Sequence, residues 1–108
     1  DHGLLCGPNI DEVLRFFSEA LDFSCAERID LEDGLLAIWL TISTKPHDIA
    51  FVKHDTPGKF HHVGFMLENW NDVGRAADIM VHHHINIDIG PTRHGVTRGQ
   101  TIYFFDPS

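Results

Sequence analysis

FHHVGFML, residues 60–67, reads as a β-strand that opens in the middle of the chain. The chain has already opened this way once, with DHGLLCG at residues 1–7. After the first opening, Gly7-Pro8-Asn9 punctuates the strand. Val13, Leu14, Phe16, Phe17, Ala20 and Leu21 then recur at helical spacing, so 10–21 is predicted as an amphipathic helix. Asn9 is its N-cap, and Asp11 and Glu12 fall in the first turn, where the helix dipole favours acid. Strands follow at 23–30, 35–43 and 47–53, with a turn at Glu32-Asp33-Gly34.

The second opening is followed by the same order. Residues 54–59 form a polar connection, 60–67 a strand and 70–80 a helix. A strand at 85–89, a glycine-rich loop at 90–99 and a strand at 101–105 come next. The pattern β-α-β-β-β, then β-α-β-β, is one supersecondary unit used twice at an offset of about 60 residues. This predicts an α+β fold of two βαβββ modules, 1–53 and 54–108, the second lacking its last strand. Asp106-Pro107-Ser108 reads as a turn just opening. With no initiator Met at the other end, the chain is expected to be part of something longer. In isolation it would keep an unpaired sheet edge and is expected to be poorly stable or to aggregate.

Composition narrows the function. A net charge of −8 argues against a nucleic-acid binder, which needs a basic face for phosphates. No basic cluster suits an anionic membrane surface, and no apolar run approaches the roughly 20 residues of a membrane span. Cys6 and Cys25 are too few for a disulfide framework and are expected in the interior of a protein of the reducing cytoplasm. Nine histidines, by contrast, are many for 108 residues. Histidine is both the commonest metal ligand and a proton carrier near neutrality.

The 60-residue offset sorts the histidines. His2 lies opposite His62, and strand alternation puts His2 on one face with Leu4 and Cys6, and His62 with Gly64 and Met66. His61 falls on the other face with Val63, Phe65 and Leu67, which reads as core. One histidine from each opening strand therefore points to a common interior. Such a pair begins a metal site, or is two unrelated surface histidines. His47 opens the strand 47–53, with a possible pairing to Asp48. His94 sits among Gly90, Gly95 and Gly99, in a loop that is either a flexible connection or the rim of a ligand site. His82-His83-His84 reads as a solvated helix end, Tyr103 as a core residue whose hydroxyl needs a partner, and Trp39 and Trp70 as packing.

The runs DHGLL, STKPHDIAFV, GKFHHVGFMLE and DIGPTRHGVTRGQTIYFFDPS together resemble the catechol 2,3-dioxygenases (metapyrocatechases). These are type I extradiol ring-cleaving enzymes of the vicinal oxygen chelate, or glyoxalase-like, fold. The resemblance implies that 1–108 is most of a catalytic domain, with a further domain before Asp1. It implies that His2, of an Asp-His pair, and His62, the second of a His-His pair, are ligands of non-haem Fe(II). The third ligand, a Glu, is expected beyond Ser108. His47, His94 and Tyr103 match the family's acid-base and substrate-contacting residues. The implied reaction is meta cleavage of catechol by O2 to 2-hydroxymuconic semialdehyde, in bacterial aromatic degradation, by a cytoplasmic homotetramer. Mn(II) accepts the same ligands. The alternatives carried by the same fold are a metal-dependent isomerase and a non-catalytic binding protein.

Overall fold

In the computed structural model residues 2–108 are described. Asp1, the partner of His2 in the Asp-His pair and the first residue of the 1–53 module, lies outside them. The elements are β1 (His2–Gly7), α1 (Ile10–Ala20), β2 (Ser24–Leu31), β3 (Gly34–Thr41), β4 (Ile49–Lys53), β5 (Lys59–Gly64), α2 (Trp70–His82), β6 (Ile87–Arg93) and β7 (Gln100–Phe104). The mixture of two helices and seven strands is the α+β class that the repeating pattern predicts. They form two compact units, the first ending at Phe65 and the second beginning at Met66.

In the first unit five strands run in the order β2-β3-β4-β1-β5. β1 is parallel to β4, with Leu4 against Ala50, and antiparallel to β5, with Leu4 against His62. The helix α1 lies on β2, β3 and β4. Between helix and sheet the apolar side chains of Ile10, Leu35, Ile38, Leu40 and Phe51 are buried together. Ile10 comes from α1, Leu35, Ile38 and Leu40 from β3 and Phe51 from β4, brought together because each element has an apolar face to hide. Leu4, Cys6 and Ala50 form a smaller buried cluster with Trp39 and Val52 packed against it. Asn9 occupies the N-cap position of α1 without a side-chain cap bond.

The second unit is α2 lying on the two-stranded β6-β7 sheet, with Val73 and Met80 buried. Here the cap is complete: Asn69 Oδ1 accepts from the backbone N–H of Asp72 at 3.2 Å.

Five sequence expectations are corrected. Residues 90–93 belong to β6 rather than to a loop. The pairing register shifts between Ile89 and Thr92, and Gly90 takes φ +97° there. A Cβ at Gly90 would sit 2.7 Å from the carbonyl oxygen of Thr101, so the glycine lets the ladder pass a close backbone approach instead of ending it. His47 precedes β4, which starts at Ile49, and therefore stands on a loop. Cys25 is exposed, and only Cys6 is interior. His61 is exposed rather than core, because β5 is the edge strand and α1 does not reach it. Trp70 is also largely exposed, at 42%.

Leu40 is fully enclosed in the first core. Leu40→Ala is expected to lower unfolding stability by about 2–5 kcal/mol, measured by chemical denaturation. A loss well under 1 kcal/mol would mean that the core between α1 and the sheet does not hold the first unit together.

Candidate functional site

Strand pairing assembles the first group of residues. β1 and β5 run antiparallel, and His2 is aligned with Gly64 while His62 is aligned with Leu4. The two histidines thus lie two positions apart along the ladder, and their Nε2 atoms are 3.2 Å apart. Gly64 makes room for this. A Cβ there would come within 2.6 Å of Cε1 and 2.9 Å of Nδ1 of the His2 ring. Any side chain at residue 64 must push that imidazole aside; Ala needs a modest shift of the ring, and a β-branched residue would displace it.

His47 completes a histidine cluster. Its ring centroid is 4.3 Å from that of His2, edge to face, and its Nδ1 is buried. On the far side of His62, its Nδ1 lies 2.9 Å from Nδ1 of His61. If Nε2 of His62 gives its lone pair to a cation, Nδ1 must carry the proton and His61 must accept it. Which of the two rings donates in this contact depends on their tautomers. Strand alternation alone conceals this contact, since neighbouring residues of a strand nominally face opposite ways.

The pair of Nε2 atoms suits a divalent metal ion. Two nitrogens each about 2.0–2.1 Å from one cation stand about 3.0 Å apart at a right angle and about 3.4 Å apart at the tetrahedral angle. The observed 3.2 Å falls between these spacings. Among the described residues no group of three or more His, Cys, Asp or Glu side chains is arranged to hold a metal. Two imidazoles alone make a weak site, so tight binding calls for a further ligand.

The loop that carries His47 is held by Asp48, and not through a bond between the two residues. The Asp48 carboxylate accepts from the backbone N–H of Ile42 at 2.9 Å and of Ser43 at 3.2 Å. It also accepts from the hydroxyls of Thr41 and Ser43, and pairs with Lys45 Nζ at 2.8 Å. Lys45 first, then these hydrogen bonds, hold the Asp48 carboxyl well below the usual carboxylate range. The sequence carries a signal for this, a Thr-x-Ser…Asp cluster able to bond its own backbone.

The second unit carries the other two expected residues. Nε2 of His94 lies 2.7 Å from the phenolic oxygen of Tyr103. The loop places His94 through its backbone N–H, which donates to the Gly99 carbonyl at 2.9 Å. Thr97 and Arg98 in that loop adopt positive φ. Burial pushes the Tyr103 phenol above its ordinary value, so the hydroxyl keeps its proton at neutral pH. His94 and Tyr103 form one donor-acceptor unit whose sense depends on the tautomer of His94. His82, His83 and His84 are exposed at and beyond the end of α2, as the solvated helix end predicts.

The sequence profile of the Glyoxalase/Bleomycin resistance protein/Dioxygenase superfamily matches residues 1–108. The chain belongs to this superfamily. Within it, the chain is 52% identical over 109 residues to a metapyrocatechase of Pseudomonas sp. (strain CF600), covering 100% of this chain and 36% of that protein. It is 32% identical to a manganese-dependent 2,3-dihydroxybiphenyl 1,2-dioxygenase of Geobacillus genomosp. 3, covering 99% and 35%. The crystal structure of the 2,3-dioxygenase LapB from Pseudomonas sp. KL28 superposes with a TM-score of 0.97 at 55% identity, covering 100% of this chain and 38% of that one. The chain thus spans little more than a third of the length of these superfamily members.

The depressed Asp48 carboxyl gives a pH test. A carboxylate whose folded pKa lies below its unfolded value stabilises above the unfolded value and loses that stabilisation as pH falls through the folded one. Backbone amide protection at Ile42 and Ser43 is therefore expected to hold from neutrality down to about pH 5. It should fade only below the ordinary aspartate value of about 3.9. Protection lost between pH 7 and 5 in hydrogen-exchange measurements would show that Asp48 does not hold this loop.

Proposed function

We propose that the chain is the metal-binding part of an extradiol dioxygenase that cleaves catechol next to its diol with O2. The product is 2-hydroxymuconic semialdehyde, which takes up both oxygen atoms. The observation that carries the reading is the meeting of His2 and His62 at 3.2 Å with His47 packed against His2. The names of the relatives support the reaction class.

In this reading His2 and His62 hold Fe(II) through their Nε2 atoms, with a Glu that follows Ser108 in the full-length protein as the third ligand. The relative named as manganese-dependent makes Mn(II) the natural competitor at the same ligands. The bound metal supplies a Lewis acid for the diol oxygens and an electron path to O2. The protein's own residues do the rest. Catechol loses a proton on binding, and cleaving the O–O bond needs one returned; His47, whose imidazole can both accept and donate a proton, takes and gives it. The His94–Tyr103 pair hydrogen-bonds the substrate oxygens. The hydroxyl of Tyr103, whose proton burial makes harder to lose, donates to negative charge as it builds.

The modules 1–53 and 54–108 then contribute one ligand strand each, β1 and β5. We further propose a cytoplasmic homotetramer. Two free cysteines agree with a reducing compartment. No helix among the described residues is long and apolar enough to cross a membrane.

The test uses the full-length protein loaded anaerobically with Fe(II), given catechol and then air. A yellow product is expected. His62→Ala should lose both the colour and the iron, and full iron occupancy in that variant would remove His62 from the ligands. Tyr103→Phe should keep its iron and lose about 10²-fold in turnover. Wild-type turnover in Tyr103→Phe would show that the hydroxyl is not used, and no colour from the iron-loaded wild type would overturn the reaction itself.

A further inference from the structure

The segment between β3 and β4, residues 42–48, lies outside both strands. It nevertheless carries His47 to within 4.3 Å of His2, ring centre to ring centre. One carboxylate gathers several of the segment's donors. Asp48 Oδ2 receives the Ile42 and Ser43 amides and the Thr41 hydroxyl at 2.9, 3.2 and 3.0 Å, and the Ser43 hydroxyl lies 2.9 Å from both oxygens. Oδ1 meets Lys45 Nζ at 2.8 Å. The backbone of Asp48 is pinned as well, its N–H donating to the Leu40 carbonyl at 2.8 Å. With only 17% of its side chain exposed, the carboxylate is a half-buried hub and not a solvated surface charge.

The hub closes a ring of backbone from the end of β3 to the start of β4. Pro46 fixes one φ inside that ring, and His47 lies between Pro46 and Asp48. Little backbone freedom is left to His47 once the ring is closed. We propose that Asp48 is a positioning residue: by gathering the donors of Thr41, Ile42, Ser43 and Lys45 it sets the place and direction from which His47 meets His2. Its effect on turnover rests on His47 being the proton-transfer group proposed above; its effect on the His47 ring does not.

Asn is the informative replacement. Asp48→Asn keeps the shape, but turns one acceptor into an NH2 that faces amide, hydroxyl and ammonium donors. In the full-length Fe(II)-loaded protein, Asp48→Asn is expected to retain its metal and its KM for catechol within about twofold. Turnover should fall by about 10²-fold, the scale of a misplaced catalytic group. A crystal structure of the variant should show the His47 ring displaced while His2 and His62 stay in place. If Asp48 acts through His47, adding Asp48→Asn to His47→Ala should cost nothing more.

A His47 ring unmoved in Asp48→Asn, or losses that multiply in the double variant, would overturn the proposal. A wild type that cleaves no catechol would refute the dioxygenase reading alone, since the ring position still decides the role of Asp48. Should Asp48→Asn fail to fold, Ser43→Ala removes a single hydroxyl from the hub. It is expected to move His47 in the same sense by a smaller amount, and an unmoved ring there counts against Asp48.

Discussion

The pairing of β1 with β5 is the constraint on which the site depends. No short sequence segment could bring His2 and His62 together, because 60 residues separate them. Antiparallel hydrogen bonds do it, aligning Leu4 with His62 and His2 with Gly64. A slip of one residue would turn the histidines of β5 to the opposite face, because side chains alternate along a strand. The register is anchored on the other side of β1. There the parallel partner β4 sets Leu4 against Ala50, inside the cluster of Leu4, Cys6 and Ala50. Burial of three small or medium apolar residues thus fixes the position of two imidazoles beside them. Packing energy, which carries no chemical information, is converted into donor geometry.

A second constraint is polar, and it works by a different physics. The loop after β3 lies outside the strands, and the amides of Ile42 and Ser43 find their acceptor in a side chain. A charged acceptor serves them in one place, since a carboxylate can take several donors at once. The consequence is directional. Asp48 faces its own loop, which leaves its neighbour His47 to face His2. The expected pairing of His47 with Asp48 inverted this arrangement; the acid is engaged by backbone and hydroxyl groups, and so it is not available to orient the imidazole directly.

Much of this was legible in the sequence, and the exceptions have a pattern. The first helix follows from its apolar spacing, and the strands show as short apolar or alternating runs, although β6 continues past Ile89 to Arg93. The correspondence of His2 with His62 follows from counting the offset between repeats. What periodicity misses is whatever depends on a strand's neighbours. Gly90 looks like a terminator, yet continues a strand because the Thr101 carbonyl passes close by. His61 looks like core, yet is exposed because its strand is at the edge of the sheet. Strand alternation places Gly64 on one face with His62 and Met66, and only the ring of His2 lying across it explains its missing side chain. Such facts belong to pairs of strands, and a one-dimensional pattern describes one strand at a time.

The repeat also separates two kinds of residue. The opening strands of the two copies supply equivalent groups, one imidazole each, as suits ligands that do the same job. The residues read as handling protons are not equivalent. His47 stands on a loop braced by a carboxylate, whereas His94 stands on a loop closed by its bond to Gly99 and joined to a tyrosine. A duplicated strand can provide symmetric coordination, but moving a proton in one direction requires groups in unlike surroundings. The loops are where duplicated units are free to diverge, because their conformations are set by a few side-chain bonds rather than by a shared ladder. That division explains why the correspondence of His2 with His62 could be found by aligning the halves, while the bracing of His47 could be found only in three dimensions.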